Sequence, residues 1–159
     1  IWMPTALQEK FVMLEKIDEK LKEELQDYMD KGERLDAKVS EKLLRNIFVN
    51  KAPLHDGAVI IERDRIAAAA CKLPLSENEE VVRDLGTRHR AGIGITEVAN
   101  VVALVVSEET GKISLAVGGT LERNYNYTTL KQTLNSLLVP QVAENVKNRI
   151  SKSQKKKDD

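Results

Sequence analysis

The residues best suited to chemistry fall in two short clusters, each built around one of the chain's two histidines. In Leu54-His55-Asp56-Gly57-Ala58 a carboxylate adjoins an imidazole, and the glycine lets a ligand approach the backbone. An Asp beside a His can hold a divalent metal, or can draw a proton from a hydroxyl. Taken alone, the stretch reads more simply as a turn before a strand, with Asp as cap and Gly supplying its dihedral angles.

The second cluster, Gly86-Thr87-Arg88-His89-Arg90, sets three potential cations behind a glycine break and a threonine able to cap a helix. Free backbone N–H groups at a helix start favour an anion, and guanidinium groups match phosphate oxygens in a fork. A solvated basic helix start is the plainer alternative. Phosphate binding is favoured over it, because cations at a helix N-terminus oppose the dipole unless an anion answers them.

Ser107-Glu108-Glu109-Thr110-Gly111 follows an apolar run, where a hydroxyl could contact phosphate and a carboxylate could assist a metal. By itself it is better explained as a surface turn. Cys71 ends an alanine run and reads as a core thiol, and as the only cysteine it excludes an internal disulfide framework and fits a reducing cytosol. The absence of cysteine pairs and of HExxH argues against structural zinc. Walker A, GxGxxG, nucleophile-elbow and kinase signatures are absent too. The residues alone describe a metal-plus-phosphate site built without a common nucleotide motif.

The elements that must position these residues fit one domain, since 159 residues lie within the ~100–200 of a typical one. With 42 % hydrophobic but only 4 % aromatic residues, its core must be aliphatic. The 25 basic and 25 acidic residues cancel. Such a chain offers no bulk field for nucleic acid, and any anion site must be local. Its longest apolar runs, 66–71 and 101–106, fall short of the ~18 residues of a membrane span. The chain starts at Ile1 rather than methionine, which reads as a fragment of something longer.

Along the chain, 11–14 reads as a strand. Ile17, Leu21, Leu25 and Tyr28 then recur at helical spacing, from an Asp18 cap to a left-handed Gly32. Ser40 caps a helix carrying Leu43, Leu44, Ile47 and Phe48. Strands over 58–61 and 66–71 form a hairpin about Arg63-Asp64, and both lack alternation, as buried strands do. A polar loop over 74–80 and a helical stretch ending near Leu85 lead to a helix over 88–98, for which Thr87 is the expected cap. Strands over 101–106 and 113–117 pair through a turn at Gly111, with Gly118-Gly119 closing that hairpin. A helix over 128–138 and a polar tail from Ser151 complete the chain. The expected fold is α/β, a single domain with a mixed central β-sheet flanked by helices.

At Pro53-Leu54-His55-Asp56-Gly57-Ala58-Val59-Ile60-Ile61 and Leu85-Gly86-Thr87-Arg88-His89-Arg90-Ala91 the sequence resembles the diadenylate cyclases, whose DGA and RHR motifs these are. Ala68–Ser76 and Val106–Gly111 match as well, and the similarity runs over about 35–117. The resemblance is strongest to the membrane-associated type, in which the catalytic domain follows three membrane helices.

That resemblance implies a DAC/DisA-N-like fold, with 1–10 unassigned, the catalytic domain over 11–140 and a polar tail over 141–159. It implies condensation of two ATP into cyclic di-AMP and two pyrophosphates at a face-to-face homodimer. Asp56 would activate the ribose 3′-hydroxyl with Mn²⁺ or Mg²⁺, and His55 would be a metal ligand beside it. Gly57 and Ala58 would line the ribose and phosphate region, and the Leu73 backbone would read the adenine edge. Thr87, Arg88, His89 and Ser107 would hold the triphosphate, Glu109 would lie near the phosphates and metal, and Arg90 would support the site. The full-length protein would be anchored to the inner face of the bacterial membrane, open to membrane or cytosolic regulators. Lys72 stands where this type often carries a tyrosine able to stack on adenine, and Gly92 and Lys112 also replace commoner family residues. A domain that binds ATP or a cyclic dinucleotide without catalysis is the alternative, and the intact Asp56 and Arg88-His89-Arg90 argue against it.

Overall fold

Hairpin-forming apolar runs interleaved with amphipathic helices fold as one mixed sheet. The computed structural model describes residues 11–15, 19–107 and 109–138. The expected unassigned 1–10, the Asp18 cap and the tail over 141–159 lie outside them. The elements are β1 (Phe11–Glu15), α1 (Glu19–Lys31), β2 (Glu33–Lys38), α2 (Glu41–Ile47), β3 (Ala58–Glu62) and β4 (Arg65–Cys71). They continue with α3 (Glu79–Val82), α4 (Thr87–Val98), β5 (Val101–Val106), β6 (Ile113–Val117) and β7 (Thr120–Tyr125), and a further helix, α5, spans 127–138. The strand order is β2-β4-β3-β1-β5-β6-β7. β1 runs parallel to β3, and the other neighbours are antiparallel.

The unalternating strands are the central ones, as their composition requires. Ala58, Val59, Ile60 and Ile61 are all buried in β3, and every residue of β5 is buried. Leu25 and Met29 of α1, with Ile93 and Ile95 of α4, close over Ala58, Ile60, Ala68, Ala103, Val105 and Ala116. Each fully buried Leu, Met, Ile or Val side chain among them contributes about 1.5–3 kcal/mol over exposure. The α2 start is as expected: the Leu43 N–H donates to Ser40 Oγ at 3.1 Å, satisfying one of the helix's orphan donors.

Four local expectations are corrected. Gly32 does end α1, but not by a left-handed angle; a Cβ there would meet Ala69 O at 2.6 Å and Cys71 Sγ at 2.7 Å, so close packing on β4 demands the glycine. The cap of α4 is Gly86, with no side-chain cap hydrogen bond, and Thr87 is the helix's first residue. Gly118 and Gly119, at φ +57° and +81°, turn into β7 rather than closing the β5–β6 pair. β7 and the polar edge strand β2 carry no apolar alternation, so periodicity misses both. β2 is instead pinned by Arg65, whose Nε donates to Asp36 Oδ1 at 2.6 Å.

The chain divides into two compact units, 1–125 and 126–159. In the second, the Thr129 N–H donates to Asn126 Oδ1 at 2.9 Å and the Asn126 N–H donates to Thr129 Oγ1 at 3.0 Å, a reciprocal cap that starts α5. Among the described residues no helix is long and apolar enough to cross a membrane.

Candidate active site

Register decides which loops meet. Ala58 pairs with Cys71, Val106 with Ile113, and Ile113 with Tyr125. The starts of β3 and β6 and the ends of β4, β5 and β7 therefore share one edge of the sheet. At that edge lies a cavity of about 880 Å³, reached also by the N-terminus of α4. Asp56, Gly57, Ala58, Leu73, Thr87, Arg88, His89, Ser107 and Glu109 all line it. Residues up to 53 positions apart, from Asp56 to Glu109, are thus brought to one site.

Gly57 holds the first wall in place. Its φ is +112°, and a Cβ would lie 2.8 Å from the Ala70 carbonyl carbon and 2.9 Å from Cys71 O, so no side chain fits. Ala70 itself sits at φ +53° where the β3–β4 register shifts between Ala58 and Ile60. This bulge and the glycine fit together and leave Asp56 exposed at the cavity. His55 is not among the lining residues. Its Nδ1 lies 2.7 Å from Ala52 O, and because a carbonyl only accepts, Nδ1 is the donor of that bond.

The second wall is the start of α4. With Gly86 as cap, the helix start has no side-chain cap hydrogen bond, and backbone N–H groups at a helix start favour an anion. Burial, and secondarily the Arg123 guanidinium, hold the His89 pKa below its ordinary value, which favours the neutral imidazole. Arg90 turns away from the cavity. Its Nε and Nη2 donate to Ser76 O at 3.3 and 3.2 Å, and the Ser76 N–H donates to Arg90 O at 2.9 Å. Ser76 Oγ in turn donates to Glu97 Oε1 at 2.6 Å. A Cβ on Gly94 would stand 2.1 Å from Pro74 O; the loop after Leu73 therefore lies directly on the helix.

The third wall is the turn after β5. The Thr110 N–H donates to Ser107 Oγ at 3.3 Å, and the Gly111 N–H donates to Ser107 O at 2.9 Å. The Ser107 O–H stays able to donate to a ligand. Among the described residues no group of three or more His, Cys, Asp or Glu side chains could hold a metal.

Residues 11–121 match the family described as DisA bacterial checkpoint controller nucleotide-binding, or DAC. The chain belongs to the DAC family. It is 53% identical over 108 residues to the Bacillus subtilis protein named cyclic di-AMP synthase CdaA, covering 68% of this chain and 40% of that protein. It is 49% identical over 120 residues to a Listeria monocytogenes diadenylate cyclase, covering 76% and 44%. This DAC chain thus spans less than half the length of these two relatives. A crystal structure of a DacA double mutant from Staphylococcus aureus superposes with TM-score 0.74 at 39% identity, covering 82% of this chain and 89% of that one. The structure of a hypothetical membrane spanning protein from Bacillus cereus gives 0.66 at 39%, covering 74% and 55%. The resemblance on the DGA and RHR motifs is borne out, and so is the mixed α/β fold.

Sequence reasoning missed what β6 and β7 bring to this DAC cavity. Lys112, Ser114, Arg123 and Asn124 line it, as does Asp84 before the α4 cap. Arg123 and Asn124 belong to a strand that periodicity could not detect, so no sequence signal placed them here. Lys72 lies on the cavity and is exposed.

Proposed function

We propose that this domain condenses two ATP molecules into cyclic di-AMP with release of two pyrophosphates. The observation that carries this reading is the convergence of Asp56-Gly57-Ala58, Thr87-Arg88-His89, Ser107 and Glu109 on one cavity, in a chain of the DAC family. In each half-reaction the ribose 3′-oxygen of one ATP attacks the α-phosphorus of the other, and the bond to pyrophosphate breaks. Asp56 takes the 3′-hydroxyl proton as general base. The α4 N–H groups, Arg88 and the Ser107 hydroxyl hold the phosphates and neutralise charge as it shifts to the leaving group. Neutral His89 donates a ring N–H to a phosphate oxygen. Leu73, on the loop clamped by Arg90 and Ser76, offers its backbone to the adenine edge.

The residues present fit a nucleotide-borne divalent ion rather than a protein cage. Mg²⁺ bound with a nucleotide uses one or two protein ligands and substrate phosphates for the rest, and Asp56 and Glu109 on the lining are carboxylates of that kind. Asp56 is the group on the cavity wall that would hold Mg²⁺ or Mn²⁺, with Glu109 close to the phosphates; His55 stands beside Asp56 in sequence but off that wall. When bound, the ion supplies positive charge to the phosphates and to the attacking oxygen. One cavity presents one set of these groups, so two copies would meet face to face, each supplying one ATP. The description of the B. cereus neighbour as a hypothetical membrane spanning protein supports a parent protein anchored at the membrane.

The test is incubation with ATP and Mn²⁺ or Mg²⁺, followed by chromatographic detection of cyclic di-AMP. Formation of cyclic di-AMP that is lost in Asp56→Asn is expected. ATP binding without product under any of these conditions would sink the reading in favour of a binding domain.

A further inference from the structure

Beyond the three walls carrying family motifs, the cavity has a fourth, and it is basic. β6 and β7 pair Ser114 with Arg123, and directly paired residues project on the same face of a sheet. Ser114 is buried and lines the cavity. Arg123 stands beside it on that face, and Lys112, just before β6, lines the cavity as well. The register shifts between Ile113 and Ser114, and Asn124, at φ +67°, is the extra residue of the resulting bulge. Bulges of this kind re-aim side chains at a strand end. Here the end is the rim of the site.

Among the described residues neither Lys112 nor Arg123 takes part in an ion pair. The carboxylate next to Arg123, Glu122, instead accepts from Tyr125 Oη at 2.6 Å. Arg123 also lies close enough to His89 to disfavour its protonation. Two cations without an ion pair among the described residues therefore line the cavity that the α4 start also reaches. On the lining, Lys72, Arg88, Lys112 and Arg123 outnumber the carboxylates of Asp56, Asp84 and Glu109, a balance that favours an added anion.

We propose that Arg123 and Lys112 form a clamp for the β- and γ-phosphates of the nucleotide, opposite the α4 N-terminus. The clamp rests on the ATP reading above and deepens it: it makes the site select a nucleoside triphosphate over the monophosphate. Arg123 grips two phosphate oxygens with its fork, and Lys112 adds a point charge. Once the α-phosphate bond breaks, the same pair holds the departing pyrophosphate.

Calorimetry with ATP and with AMP, on wild type, Arg123→Gln and Lys112→Gln, tests this. Arg123→Gln should lose about tenfold or more in ATP affinity, the loss expected for one charge-assisted contact. AMP affinity should move by less than about twofold, and the loss of ATP affinity with added salt should become shallower. Lys112→Gln should show the same pattern more weakly. If Arg123→Gln fails to fold, Arg123→Lys should fold and show an intermediate loss confined to ATP. Equal losses for ATP and AMP, or none for either in a folded variant, would overturn the clamp while leaving the nucleotide reading standing. Wild-type protein that binds no ATP would instead overturn that reading, and the clamp with it.

Discussion

Arg90 and Ser76 hold each other at both main-chain and side-chain level. The guanidinium donates twice to Ser76 O, at 3.3 and 3.2 Å, while the Ser76 N–H donates to Arg90 O at 2.9 Å. Ser76 is fully buried, so its carbonyl has no water to fall back on. The loop that follows Leu73 is thereby fixed to the helix that starts at Thr87.

Breaking that tie should loosen the nucleotide site without touching a phosphate. Arg90→Ala leaves a buried carbonyl short of its donors, which costs about 1–3 kcal/mol. Gly94→Ala, with Pro74 O only 2.1 Å from the new Cβ, should cost a similar amount, about 1–3 kcal/mol, through overpacking. Both should lower the urea midpoint and weaken ATP and AMP alike, as calorimetry would show. Selective loss of ATP would contradict a role through the adenine loop.

Asp56→Asn separates binding from chemistry. The amide keeps the shape but cannot accept the 3′-hydroxyl proton, so turnover should fall by about 10²–10⁴-fold. ATP affinity measured without metal should change by less than about threefold. Near-wild-type product formation would remove Asp56 from the base role.

Cys71 reaches the cavity lining yet is itself fully buried. Burial pushes its thiol pKa up to about 11, leaving only about one part in a thousand as thiolate at pH 8. Iodoacetamide should label the native protein slowly and the urea-unfolded protein fast. Rapid labelling of native protein would show that the β4 end opens.

His89 makes stability depend on pH. Its folded pKa lies below the ordinary value, so between the two the unfolded chain binds more protons. Stability should therefore rise with pH in that window, and fall as pH drops from about 6.5 toward the folded pKa. Urea midpoints measured from about pH 7.5 to 5 should show a slope that His89→Gln reduces. An unchanged slope would mean that another group carries the dependence.

The site was more legible in the sequence than its supports were. Thr87–Arg90 stand out by residue type at a helix start, Asp56-Gly57-Ala58 only through the family resemblance, and the central strands by unbroken apolar runs. The reasons for Gly32 and Gly94 are contacts with residues distant in sequence, which no local pattern encodes. β2 and β7 were missed because an edge strand with polar residues on both faces has no period to detect. Arg123 was missed with β7. His55 was legible as a candidate ligand, but its adjacency to Asp56 in sequence does not put it on the cavity wall.

The most direct test of the proposed reaction is cyclic di-AMP formation from ATP and Mn²⁺, measured over a hundredfold or so range of protein concentration with pyrophosphate counted alongside. A reaction shared between two facing copies predicts two pyrophosphates per cyclic di-AMP, and a specific activity that rises with concentration until the dimer saturates. ATP consumption with no cyclic di-AMP at any concentration, or a specific activity flat across the whole range from a protein that stays monomeric, would contradict it.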